Sequence, residues 1–168
     1  MTTTCNAISN NPLLSNYFQF TLDRVPNMVY FCQSANIPGI AYGVAEQPTT
    51  MGYPVQVPTG AVRFEDLLLT FRVDENLTNW KEIHDWIRTT SNYENDASTL
   101  EYSQKASSAT LTVTNSSYRP KIAVRFKQIF PKYLSSINFS VTEKQSTEVL
   151  ASVQFAFTGY TIETLDTP

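Results

Sequence analysis

His84 is the only histidine in the sequence, and it limits the chemistry open to this chain. A single imidazole excludes a multi-histidine metal site and leaves a Ser-His-Asp arrangement resting on one base. His84 recurs with Trp80 and Ile87 at helical spacing, so it reads as a histidine at the edge of a core rather than a catalyst. The paired acids Glu65-Asp66 and Asp74-Glu75 offer general acid and base groups. Adjacent residues of a strand point to opposite faces, however, and Asp74-Glu75 is accounted for as the start of a helix. Five glycines, none in a G-x-G-x-x-G or Walker arrangement, leave no loop to cradle a phosphate. Two cysteines, Cys5 and Cys32, are too few and too irregularly placed for a disulfide framework or a zinc knuckle, and read as free thiols in a reduced compartment. No catalytic residue, metal or cofactor is expected.

Charge is more informative than nucleophiles. The formal net charge is −3, but residues 65–101 hold nine acids against three bases, and residues 102–142 hold six bases and no acid. Two chemistries fit the basic stretch. Arg119, Lys121, Arg125, Lys127 and Lys132, interleaved with Phe126, Phe130 and Tyr133, have the make-up of a platform for single-stranded nucleic acid. The same bases could instead answer the acidic block of a neighbouring copy, where opposite charges steer encounter and fix register. Glu65 and Asp66 against Arg125 and Lys127 are then the candidate inter-subunit charge pairs.

The elements that must position these groups are mainly strands. Leu67, Leu69, Phe71 and Val73 alternate at a period of two, and Leu77, Trp80, Ile83, His84 and Ile87 follow at intervals of three and four, which predicts a strand running into a helix over about 76–90. Asn76 is the expected N-cap, with Asp74 and Thr78 as alternatives. Trp80, Ile83 and Ile87 are the expected anchors of the helix on the sheet. Residues 17–22 alternate with Phe18, Phe20 and Leu22 inward, and lead through a turn into 28–34, a predicted hairpin. Residues 109–115 and 121–127 make a second hairpin, Pro131 is expected to break the strand that follows, and 138–142 with 148–158 make a third pair. The sum is a mainly β protein, an antiparallel barrel or sandwich of about seven strands with one flanking helix.

A chain of 168 residues is one domain long. Residues 1–14 read as a flexible N-terminal arm and 15–168 as a single domain with a projecting loop at 41–61. That loop carries Pro48, Pro54 and Pro58 with Gly43, Gly52 and Gly60, too many breakers for a central strand. Yet Tyr42, Met51, Tyr53, Val55 and Val57 are more apolar than a free loop, which predicts that another molecule covers them. The opening residues lack a basic, apolar leader and no segment reaches membrane-span length, so a cytosolic protein without membrane partners is expected.

Taken in order, Asn16-Tyr17-Phe18, Phe31-Cys32-Gln33, Ile37-Pro38-Gly39, the run from Val73 through Trp80 to Trp86, Phe130-Pro131 and the closing aromatic strand resemble the tail tube proteins of contractile-tailed bacteriophages. The resemblance spans Ser15 to Ile162 and extends to baseplate tube initiators and the tube subunit of type VI secretion. It implies a barrel with one flanking helix, assembled into hexameric rings that stack as a hollow tube inside a contractile sheath and conduct DNA. The implied partners are further copies of the chain, the sheath protein, baseplate and terminator proteins, and DNA bound without sequence specificity. The implied location is the virion tail, and the host cytoplasm during assembly. On this reading the 41–61 loop is the ring-stacking arm, and the uncharged face of Thr110, Thr112 and Thr114 with Ser152 and Gln154 lines the channel. Tube body, initiator and terminator all remain open, with a single-stranded nucleic-acid-binding barrel as the competing class.

Overall fold

The structure is a computed structural model that describes residues 13, 16–26, 31–50, 52–91, 105–139 and 148–165. Among them are nine strands and one helix: β1 Phe18–Leu22, β2 Cys32–Ala35, β3 Ile40–Gln47, β4 Val55–Phe64, β5 Leu67–Arg72, α1 Thr78–Thr90, β6 Ser107–Thr114, β7 Pro120–Leu134, β8 Leu150–Ala156 and β9 Gly159–Thr164. The mainly β expectation holds, and every ladder is antiparallel. Seven strands form one sheet in the order β1-β6-β7-β8-β5-β2, with β9 also on β7. The two ends of that order, β1 and β2, approach each other without a ladder between them, so the barrel stays open.

Alternation builds the core. Leu67, Leu69 and Phe71 of β5 meet Phe20 and Leu22 of β1, Leu111 of β6, Val124 and Phe126 of β7, and Val153 and Phe155 of β8, all buried on the concave side. Val73 is only partly buried, because β5 has ended before it. The segments at 109–115 and 121–127 pair as expected.

Three expected connections differ. β1 pairs with β6 and β2 with β5, so the first two strands are not a hairpin. Their inward residues find a larger apolar surface on distant strands than on each other. Pro131 does not break β7, which runs through it to Leu134. The ladder with β6 stops opposite Ile129, and beyond that point β7 has a neighbour only in β8, where a residue without an N–H is tolerated. The bend falls instead at Gln128, whose φ is 53°. Finally, β8 pairs with β5 and β7 rather than with 138–142. Asn138 and Phe139 are not strand, and 140–142 lie outside the described residues.

The helix begins at Thr78, and Leu77 holds the N-cap position with φ 57° and no side-chain cap. None of Asp74, Asn76 and Thr78 caps it, and its first turn carries no acid. The cap is displaced by Asn79, the one polar residue buried among those described. Its Oδ1 accepts from the N–H of Trp80 at 2.8 Å and of Asp74 at 3.2 Å, and its Nδ2 donates to the Arg72 carbonyl at 2.8 Å. One amide thus ties the end of β5 to the first turn of α1. Asn79, Ile83 and Trp86 form the buried stripe of the helix, with Trp80 and Ile87 packed at its margins.

Candidate functional site

β3 and β4 form a two-stranded sheet of their own, outside the seven-stranded one. The expected projecting loop is therefore a hairpin. Every residue of β4 is exposed, and of β3 only Gly43 is partly covered. Cross-strand partners share a face. The register places Ile40 opposite Phe64, Tyr42 opposite Val62 and Val44 opposite Pro58, an apolar face, while Ala45 and Gln47 meet Val57 and Val55 on the other. A bulge interrupts the ladder between Tyr42 and Val44, where Gly60 has φ +78° and a Cβ on Gly43 would lie 2.6 Å from the Thr59 hydroxyl.

The neck of the hairpin is clamped to the domain. Glu65 N–H donates to the Gly39 carbonyl at 3.0 Å, and Tyr160 donates from its hydroxyl to the Pro38 carbonyl at 3.2 Å. Asn36 accepts from Leu68 N–H and donates to the Asp66 carbonyl. Phe64 packs edge-on against Tyr160, with centroids 5.4 Å apart, and against Phe157 at 5.7 Å.

Of the five residues expected on the arm, Tyr42 lies on one face and Val55 and Val57 on the other; Tyr53 sits in the exposed connection and Met51 lies outside the described residues. Sequence reasoning missed Ile40, Val44, Val62 and Phe64, which together with Tyr42 make the more apolar face. Their period of two on each flank of the proline-rich centre was the available signal.

Thr110, Thr112 and Thr114 stand on the face of β6 opposite its buried Ala109, Leu111 and Val113, and Ser152 and Gln154 stand on the corresponding face of β8. All five are off the core. Arg125 lies beside Thr110 in the ladder, and its Nε is 2.9 Å from Glu163. Lys132 Nζ is 2.8 Å from Asp66, and Glu65 accepts from Gly39 N–H at 3.3 Å. Asp66 and Arg125, expected to reach a neighbouring copy, thus already have partners within the subunit, while Glu65 and Lys127 are exposed.

The nucleic-acid platform is not assembled. Phe126 is buried, so no base can stack on it, and Arg125 and Lys132 are already matched by acids. Tyr133 alone of the three aromatics is exposed. His84 stacks on Trp80 at 5.2 Å with its Nδ1 3.3 Å from Asp85, at the core edge as expected. Trp80 donates from Nε1 to the Ser135 carbonyl, and Trp86 to the Lys105 carbonyl. No helix among the described residues is long and apolar enough to cross a membrane.

The described residues thus form an open antiparallel barrel with one flanking helix and a clamped, outlying apolar hairpin. The profile of the phage tail tube proteins matches residues 5–163, and the chain belongs to that family. It is 25% identical over 163 residues to the tail tube terminator protein of Enterobacteria phage T4, an alignment covering 95% of this chain and 88% of that protein. Two solved structures are similar in fold. One is the sheath–tube complex of an extracellular contractile injection system, PVC, in its extended state, with a TM-score of 0.68, 17% identity, and coverage of 98% of this chain and 100% of the other. The other is the tube-terminating cap of the anti-feeding prophage, with a TM-score of 0.69, 17% identity, and coverage of 98% and 100%.

Proposed function

We propose that this chain forms the ring that ends the inner tube of a contractile phage tail, a tube terminator. The observation that carries an assembly role is the β3–β4 hairpin, which leaves the sheet and exposes Ile40, Tyr42, Val44 and Val62 to solvent. An apolar surface of that kind on a structural subunit calls for a protein partner. The terminator position, rather than the tube body, is supported by the 25% identity to the T4 terminator over nearly the whole chain. On this reading the hairpin meets the adjoining ring of tube protein, and further copies, the sheath and passing DNA are the remaining neighbours. The polar outer face of β6 and β8, with Thr110, Thr112, Thr114, Ser152 and Gln154, lines the channel. Arg125 on that face is neutralised by Glu163, so it offers sliding DNA little to hold.

Negative-stain microscopy of the purified protein, alone and added to its cognate tube protein, tests this. Discrete rings alone, and shorter tubes in the mixture, are expected. Long tubes from this chain alone would make it the tube body, and a persistent monomer would remove the ring reading altogether.

A further inference from the structure

At the junction of β5 and α1 lies a cavity of about 170 Å³, the scale of one large side chain. Val73, Leu77, Ile137 and Val149 give it an apolar floor, and Phe139 stands exposed at its side. The acidic residues Asp74 and Glu75 complete the lining. Leu77 is in the left-handed region, a conformation that a residue with a Cβ adopts only when its surroundings impose it. Leu77, 37% exposed, thus presents its side chain to the cavity from a backbone fixed by its surroundings.

The β6–β7 turn has the converse shape. Tyr118 is 76% exposed and also left-handed, with φ 58°. Asn115 braces it, its Oδ1 accepting from the N–H groups of Ser117 and Arg119 at 2.9 Å and its carbonyl from Tyr118 N–H at 2.9 Å. Tyr17 packs edge-on against the Tyr118 ring with centroids 5.1 Å apart. The result is an aromatic knob, presented rigidly and followed by the exposed cations Arg119 and Lys121.

The knob precedes the first residue of β7 and the cavity follows its last, so the two stand at opposite ends of a fifteen-residue strand of about 45 Å contour that bends at Gln128. Tyr118 packs on Tyr17 and does not line the cavity of its own subunit. We propose that Tyr118 of one copy seats in the Val73–Leu77–Ile137–Val149 cavity of the next, with Arg119 against Asp74 and Glu75, as the head-to-tail contact that closes the ring. Opposite ends with opposite charge are what a heterologous interface between identical chains requires. A tyrosine pre-ordered by its turn loses little freedom on docking. The contact rests on the ring reading above and adds which residues join neighbours.

Sedimentation velocity over a range of concentrations tests it with Tyr118→Ala, Arg119→Glu, Glu75→Arg and the exchange variant R119E/E75R, each checked for folding by circular dichroism. Each single change is expected to weaken ring formation about thirtyfold, the loss of one central anchor, and the exchange to recover most of it. Rings formed as readily by Tyr118→Ala and Arg119→Glu as by the parent would overturn the contact while leaving the ring intact. An exchange no better than its single variants would also overturn the charge pairing. A parent that forms no ring would take down the ring reading and this contact with it.

Discussion

Replacing Asn79 by alanine removes the side-chain partner of the Asp74 and Trp80 N–H groups and of the Arg72 carbonyl in a part-buried junction. The expected cost is about 2 to 4 kcal/mol, read as a lower urea midpoint, because stranded polar groups lose their hydration without recovering a hydrogen bond. Thr78→Ala, at a position expected to cap but without a capping bond, should change the midpoint little. Cys32 supplies a second test at this scale. Burial pushes its thiol from 9.0 up to about 11, so the folded chain keeps a proton that the unfolded chain has given up. Below pH 9 both states hold the proton and the residue adds no pH dependence; between about pH 9 and 11 its effect is to lower stability. The unfolding midpoint of the parent should therefore fall toward, or further below, that of Cys32→Ala across that window, and parallel curves would contradict the assignment.

At the scale of elements, α1 is held chiefly by Ile83 and Trp86, with Trp80 only partly buried. Trp86→Ala removes a ring packed 6.1 Å from Phe155 and beneath Arg24, and should cost about 3 to 5 kcal/mol, against a smaller loss for Trp80→Ala. Chemical denaturation of the two variants would rank them, and the reverse order would show that the margin of the stripe matters more than its centre. The strand and helix themselves were legible because periods of two and of three to four are imposed by which side chains a core must receive, as in Leu67-Leu69-Phe71 and Ile83 with Ile87. Partners were less so. Nothing local to Phe18-Phe20-Leu22 says that its neighbour is β6 rather than β2, since a ladder uses backbone groups common to all residues. The Asn79 junction was hidden for a related reason. Asn76 has the better local signature for a cap, and only tertiary packing reveals that Asn79 faces inward. The breakers of the 41–61 segment are visible in the sequence, but which of its side chains share a face is not, because the bulge at Gly60 and the clamped neck decide it.

For the whole molecule, the separateness of the β3–β4 sheet predicts that assembly can be removed without unfolding. Shortening residues 46–58 to a brief glycine-containing turn should leave the circular dichroism and unfolding midpoint near the parent's, since the segment contributes nothing to the buried core. The shortened protein should no longer engage the tube protein proposed as its partner in microscopy, and capped tubes would refute the assignment. The seating of β1 on β6 has a different consequence, one of time. Thr21 bonds the Thr110 carbonyl across 89 positions of sequence. At about 5 to 20 residues per second, the ribosome needs about 5 to 20 seconds to make the chain between them. Throughout that interval Phe20 and Leu22 have no strand to lie on, so a nascent chain exposes its first apolar strand long before it owns the surface that covers it. Crowded synthesis of many copies puts such strands side by side, and the speed of translation then competes directly with aggregation for the yield of folded subunits.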